Sequence, residues 1–139
     1  MVSAAGYVGA GPSAESRFER NVPYQSGVRW RIFSDDPIND LGSKATMPTS
    51  AALIEGYRQI IAKAHARRIR FLCSTLTPFE GSNGWKPAGK SARREVNALL
   101  VDGKSGCDAI VDQDAATHDP ALPRKFPSAY DGGDHHSSE

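Results

Sequence analysis

Apolar residues recur at helical spacing in three parts of the chain. The longest predicted helix begins at Thr49 or Ser50 and ends near Arg67 and Arg68, whose positive charges suit a helix C-terminus. Its apolar positions recur at i, i+4, i+7, i+8 and i+11, which is the pattern of one buried face. These positions are Leu53, Tyr57, Ile60, Ile61 and Ala64.

Two shorter helices are predicted on either side of this one. Ser13 is placed to cap the first, which runs to about residue 21 with Ala14 and Phe18 on one face. Ser91 is expected to open the second, and Gly103 is placed to end it. The apolar side of this second helix consists of Ala92, Val96, Leu99 and Leu100.

Three segments rich in strand-forming residues alternate with these helices. They are residues 28–34, 69–76 and 109–112, and the third is short and predicted to be buried. Because the connections are too long for hairpins, we expect parallel strands joined by crossover helices. The predicted class is therefore α/β, in which ligands gather beyond the carboxyl ends of the strands.

The length of 139 residues predicts one domain over 1–139, since a single core serves about 100–150 residues. Residues 1–12 are dense in Gly and Pro and are expected to form a loop. The segment 114–139 is rich in Pro, Gly and Asp, has no helical period, and is predicted to be irregular.

Charge and composition give no support for nucleic acid or a membrane as a partner. The chain contains seventeen Lys and Arg and sixteen Asp and Glu. The resulting net charge of +1 gives no reason to expect nucleic acid or an anionic membrane as a partner. The basic clusters at 67–70 and 90–94 adjoin predicted helices and are interpreted as solvated polar faces. No apolar run approaches the roughly 20 residues that span a bilayer, so no membrane span is expected.

The two cysteines and the first four residues are the features that bear on the cellular compartment of the protein. Cys73 and Cys107 have no CxxC spacing and are interpreted as free buried thiols. The start, Met1-Val2-Ser3-Ala4, has no basic region typical of an export signal, so the chain as written is expected to be cytoplasmic.

The segment after the first predicted strand carries the most specific motif. It reads Pro37-Ile38-Asn39-Asp40-Leu41-Gly42 and resembles the Gly-x-Asn-Asp block of the SGNH hydrolases, also called GDSL-like lipases or acylhydrolases. Asn39 and Asp40 match that block, and Pro37 stands where the family has Gly. In the family the Asn side chain helps to hold the oxyanion of the tetrahedral intermediate, so the resemblance implies this role for Asn39.

Further segments are similar to one bacterial branch of the same family. They are residues 56–67 with 74–81, and the turn at residues 11–14 with Arg17-Phe18, so the resemblance extends over nearly the whole chain. It implies the three-layer α/β/α, flavodoxin-like fold of the SGNH hydrolases, expected here to be N-terminally incomplete.

The last block of the family is usually Asp-x-x-His followed by Pro, where the His is the general base and the Asp orients it. Residues 129–136 resemble this block, and Asp134 fits its Asp. Ser137 stands where the His is expected, so His136 is assigned as the base if one position has been lost. His135 lies even closer to Asp134, and the choice between the two histidines stays open.

The nucleophile block of the family is Gly-Asp-Ser, and this tripeptide occurs nowhere in the 139 residues. The oxyanion-hole Gly would fall near Val2, so that block is missing as well. The resemblance implies a hydrolase that acts on small-molecule or carbohydrate esters through a serine acyl-enzyme and needs no cofactor, with negligible activity for this chain alone. The alternative is a non-catalytic remnant or binding module on the same scaffold.

Each site assignment also has a structural alternative. Asn39 follows a strand, where Asn is a common turn former. The two tail histidines with Asp131 and Asp134 would suit a small zinc site or belong to a polar tail. Ser13 is a possible replacement nucleophile, but its position before a helix favours a capping role.

Overall fold

A computed structural model describes residues 13–22, 24–34, 37–42, 47–82 and 84–129. The helices are α1 (Ala14–Asn21), α2 (Ile38–Leu41), α3 (Ser50–Ala66), α4 (Pro87–Val101) and α5 (Gln113–Thr117). The strands are β1 (Trp30–Phe33), β2 (Arg70–Ser74) and β3 (Ala109–Val111). This alternation confirms the predicted α/β class.

The three strands form one parallel sheet in the order β1-β2-β3. Trp30 pairs with Arg70, and Leu72 pairs with Ala109. Crossovers between parallel strands are right-handed in nearly all proteins. Because the strand order runs in one direction, from β1 to β2 to β3, the two crossover helices α3 and α4 are placed on the same face of the sheet. Accordingly, α3 contacts both β2 and α4. A second helical layer on the other face stays a prediction.

The covered face of the sheet carries the core. Phe33, Phe71 and Cys73 are each at most 3% exposed, and Phe33 meets Tyr57 of α3 edge to face with ring centroids 5.3 Å apart. All five apolar positions predicted for α3 are buried, which confirms the predicted face of that helix. The same cluster includes Phe18 of α1 together with Ala92, Val96 and Leu100 of α4, whereas Leu99 is half-buried.

The opposite face of the sheet is open among the described residues. Trp30 is 50% exposed, Ile32 57% and Val111 42%. The prediction that the third strand is buried is wrong, because Ala109 and Val111 are exposed and Ile110 is half-buried. The physical reason is that, in the described part of the chain, β3 lies at an edge of the sheet and one of its faces is uncovered.

The observed helix starts agree with the predicted starts for α1 and α3 but not for α4. The Ser13 hydroxyl accepts a hydrogen bond from the Ser16 amide at 3.2 Å, and the Thr49 hydroxyl accepts one from the Ala52 amide at 3.1 Å. The start predicted for α4 is wrong, because the helix begins at Pro87. Proline suits a first helical turn, since its φ is helical and its missing N–H needs no partner there.

The segment predicted to be irregular includes most of α5. The Asp112 carboxylate caps this short helix by accepting from the Ala115 amide at 3.0 Å. Residues 118–129 contain neither helix nor strand, in agreement with the prediction. The N-terminal stretch 1–12 lies outside the described residues.

The prediction of free thiols is wrong, because Cys73 and Cys107 form a disulfide. Cys73 lies in β2 and Cys107 just before β3, and their Cα atoms are 5.9 Å apart, within the usual range for such a bond. The cysteines are 34 residues apart in the sequence, and the parallel pairing of β2 with β3 brings them together. The spacing of the two cysteines along the chain does not predict this proximity.

Candidate functional site

The carboxyl ends of the three strands meet at one edge of the sheet, and a polar residue follows each. Asn39 and Asp40 come after β1, Thr75 comes directly after β2, and Asp112 comes directly after β3. Parallel α/β sheets bind their ligands at this edge. We therefore take it as the candidate functional site.

Asn39 is presented to solvent by a single helical turn. In α2, Ile38, Asp40 and Leu41 are buried, whereas Asn39 is exposed. Ile38 and Leu41 anchor the turn in the core, and the side chain of Asn39 lies at the surface. This is the side chain that the sequence singled out as an oxyanion donor.

Two glycines allow this turn to approach the start of α4. A Cβ on Gly84 would lie 2.8 Å from the carbonyl oxygen of Gly42, and a Cβ on Gly89 would lie 3.1 Å from that of Leu41. Any side chain at Gly84 would therefore displace the backbone of Gly42, directly after α2. The sequence predicts no role for these glycines, because close backbone approach leaves no pattern along the chain.

Behind this edge, α4 contributes two buried polar side chains to the end of β2. Asn97 accepts from the Leu76 amide at 2.7 Å and donates to the Leu76 carbonyl at 2.9 Å. Arg93 donates to the same carbonyl at 3.0 Å and contacts the Asp114 carboxylate at 2.6 Å. Arg93 is only 5% exposed, so the interpretation of 90–94 as a solvated polar face is wrong at this residue.

A second set of bonds fixes the segment after β3. The Thr75 hydroxyl donates to Asp112 at 2.9 Å and accepts from the Asp114 amide at 2.9 Å. Asn97 donates to the other oxygen of Asp114 at 3.1 Å. Together these bonds hold the start of α5 against α4 and β2.

One further hydrogen-bonded pair of side chains lies at the opposite edge of the sheet. His65 near the end of α3 and Asp108 before β3 are 2.8 Å apart, and the Phe71 amide donates to Asp108 at 2.7 Å. The Phe71 hydrogen bond, followed by the one to His65, holds the pKa of Asp108 below its usual value. Its position at the amino-terminal edge indicates a structural link, away from the strand ends where ligands bind.

Asn39 is the one predicted catalytic residue within the described part of the chain. Asp134, His136 and the competing His135 lie outside the described residues, as does the tail metal set with Asp131. Ser13 is 7% exposed and its hydroxyl bonds to Ser16, which supports the capping role.

No protein-family model matches the chain, and no curated protein matches it. Between residues 13 and 129, leaving aside the short undescribed gaps, no three His, Cys, Asp or Glu side chains are grouped to hold a metal ion. No helix in the same part of the chain has the length and apolar character needed to cross a membrane.

Proposed function

We propose that this chain carries the scaffold of an SGNH-type ester hydrolase, with Asn39 as a hydrogen-bond donor to the oxyanion. The observation that carries the proposal is that Asn39 is exposed on α2, the one-turn helix that follows β1 in the chain. The buried Asp40 beside it and the parallel α/β sheet also support this assignment. A second helical layer, giving the three-layer flavodoxin-like arrangement, belongs to the same proposal.

The proposed chemistry is acyl transfer to a serine. A serine hydroxyl attacks the ester carbonyl, and the oxygen of that carbonyl gains negative charge that the amide of Asn39 stabilises by donating a hydrogen bond. His136, oriented by Asp134, takes the proton of the serine and passes it to the leaving alcohol. Water then releases the acyl group, so small-molecule or carbohydrate esters are the proposed substrates and no cofactor is required.

The chain by itself is expected to be inactive, because Gly-Asp-Ser occurs nowhere in its 139 residues. Loss of a triad member typically costs several powers of ten in rate. The purified chain should therefore hydrolyse p-nitrophenyl acyl esters no faster than buffer. Turnover that is abolished both by a fluorophosphonate and by Asn39→Ala would contradict this expectation.

The role of Asn39 is tested by restoring the missing block. The DNA upstream of Met1 is read in all three frames for a Gly-Asp-Ser segment, and a protein extended by that segment is assayed on the same esters. Asn39→Ala should lower its kcat by about 10²–10³-fold, the usual effect of losing one oxyanion donor. Asn21→Ala, an exposed Asn on α1, is the matched control and should leave kcat unchanged. Equal kcat in the Asn39 variant and the extended parent would refute the proposed role.

The alternative function is a non-catalytic binding module on the same scaffold. The sequence observation that favours it is the absence of Gly-Asp-Ser and of the oxyanion Gly. If the DNA upstream of Met1 encodes Gly-Asp-Ser in none of its three frames, that result would favour the binding module over the hydrolase.

A further inference from the structure

A cavity of about 330 Å³ lies between α4 and the segment that follows α5. We name it the basic cavity, and its lining consists of Lys90, Arg93, Arg94, Asp114, Pro123 and Arg124. Pockets that bind small molecules have volumes of about 300–1,000 Å³, so a compact ligand fits this one.

Positive charge exceeds negative charge around the basic cavity. Two of the four cations are paired: Arg93 lies 2.6 Å from Asp114, and Arg124 lies 2.5 Å from Glu80. The Lys90 ammonium stands 4.0 Å from Glu80, which Arg124 already engages. Arg94 is exposed and forms no hydrogen bond or ion pair with another described residue. Four cations against two carboxylates leave an excess of two positive charges.

The position of the guanidinium of Arg93 is fixed in advance. Its bonds to the Leu76 carbonyl and to Asp114 hold it at the carboxyl ends of β2 and β3. Since Arg93 is 5% exposed, little side-chain entropy remains to be lost when a ligand binds. This edge is also where α/β sheets commonly bind ligands.

We propose that the basic cavity binds a small molecule that carries a phosphate group. A phosphate monoester has close to two negative charges at neutral pH, which matches the excess of two positive charges. Guanidinium groups also present paired N–H donors whose geometry fits phosphate oxygens. None of the lining residues belongs to the proposed hydrolase site, so this assignment is independent of the esterase.

The test is titration of the full chain, at constant ionic strength, with inorganic phosphate, phenyl phosphate and acetate, followed by ¹H–¹⁵N NMR. Saturable shifts at the amides of Lys90, Arg94 and Arg124 are expected with both phosphates, and acetate should bind at least about tenfold more weakly. Tighter binding of phenyl phosphate identifies an ester as the ligand, whereas tighter binding of inorganic phosphate identifies the free ion. The proposal is overturned if neither phosphate saturates these amides, or if acetate binds equally well.

Two matched variants separate a built site from general charge attraction. Arg94→Gln should weaken phosphate binding about tenfold, as expected for the loss of one charged hydrogen bond. Arg58→Gln removes the same charge from an exposed position on α3 and should leave the affinity unchanged. Both should keep the parent Tm, because neither side chain is buried. Equal weakening by the two variants would overturn the proposal, whatever the outcome of the esterase assays.

Discussion

The amide of Asn97 completes the hydrogen bonding of the backbone where β2 ends. Its oxygen and nitrogen both bond to Leu76, which is fully buried. Buried backbone groups without a partner are strongly unfavourable, so nearly all of them are paired in folded proteins. Asn97 of α4 therefore bonds to both backbone groups of Leu76, in place of a neighbouring strand.

We expect Asn97→Leu to lower the free energy of unfolding by about 2–3 kcal/mol, because the Leu76 amide loses its partner in a buried site. Urea unfolding followed by circular dichroism measures this change. Ser91→Ala, at an exposed position on the same helix, is the control and should stay within about 0.5 kcal/mol of the parent. A loss below 1 kcal/mol for Asn97→Leu would mean that another group or water satisfies Leu76.

Periodicity identifies the buried apolar positions of α4 but not the functions of Arg93 and Asn97. A helical period depends only on neighbours along the chain, so Val96 and Leu100 are predictable. The partners of Arg93 and Asn97 are Leu76 and Asp114, which lie in other elements. The one sequence signal for these two residues is their spacing, since Arg93 and Asn97 are four apart on the otherwise apolar face of α4.

The disulfide joins β2 to the segment that leads into β3. Bonds of this kind persist in oxidising compartments, and they stabilise a fold mainly by restricting the unfolded chain. Because Cys73 and Cys107 become neighbours only through the register of two parallel strands, their pairing could not be predicted from spacing.

Reduction of this disulfide should lower the free energy of unfolding by about 3–4 kcal/mol, the value expected for a closed loop of 34 residues. Urea unfolding with and without a reducing agent measures the difference. The Cys73→Ala, Cys107→Ala double variant is the control, since its stability should not respond to the reducing agent. Alkylation of two thiols in the unreduced, denatured protein, read by intact mass, would contradict the bond.

The uncovered face of the sheet gives the described structure an apolar surface that ordinary soluble domains cover. Trp30, Ile32 and Val111 lie there, each at least 42% exposed. Large exposed apolar patches bind hydrophobic dyes and promote self-association.

We expect Ile32→Lys to reduce both the fluorescence of bound anilinonaphthalene sulfonate and the light scattering of concentrated samples. The matched control is Val101→Lys at the end of α4, where Val101 is 58% exposed away from the sheet. Equal reductions by both variants would attribute the effect to added charge and contradict the assignment to the sheet face.

The alternation of helices and strands was sufficient to predict the α/β class, whereas the one-sided packing of α3 and α4 was not predictable. That packing follows from the order β1-β2-β3, and strand order has no signature in local patterns. For the candidate site, the position of Asn39 beyond β1 followed from its place after a predicted strand. The close glycine contacts and the basic cavity depend on tertiary structure and had no such signal.

The pairing of the strands also determines when this sheet is able to form during synthesis. Trp30 pairs with Arg70 and Leu72 with Ala109, so both strand pairs among the described residues join distant parts of the chain. While the ribosome is still making α3, β2, the described partner of β1, does not yet exist, and β2 gains its second neighbour only after α4 is complete. Contacts of this kind form slowly, because a long loop must close before any pairing energy is gained. The pair of β1 with β2 is therefore able to form only after residues 70–74 have been made, and β3 is able to join only after residues 109–111 have been made.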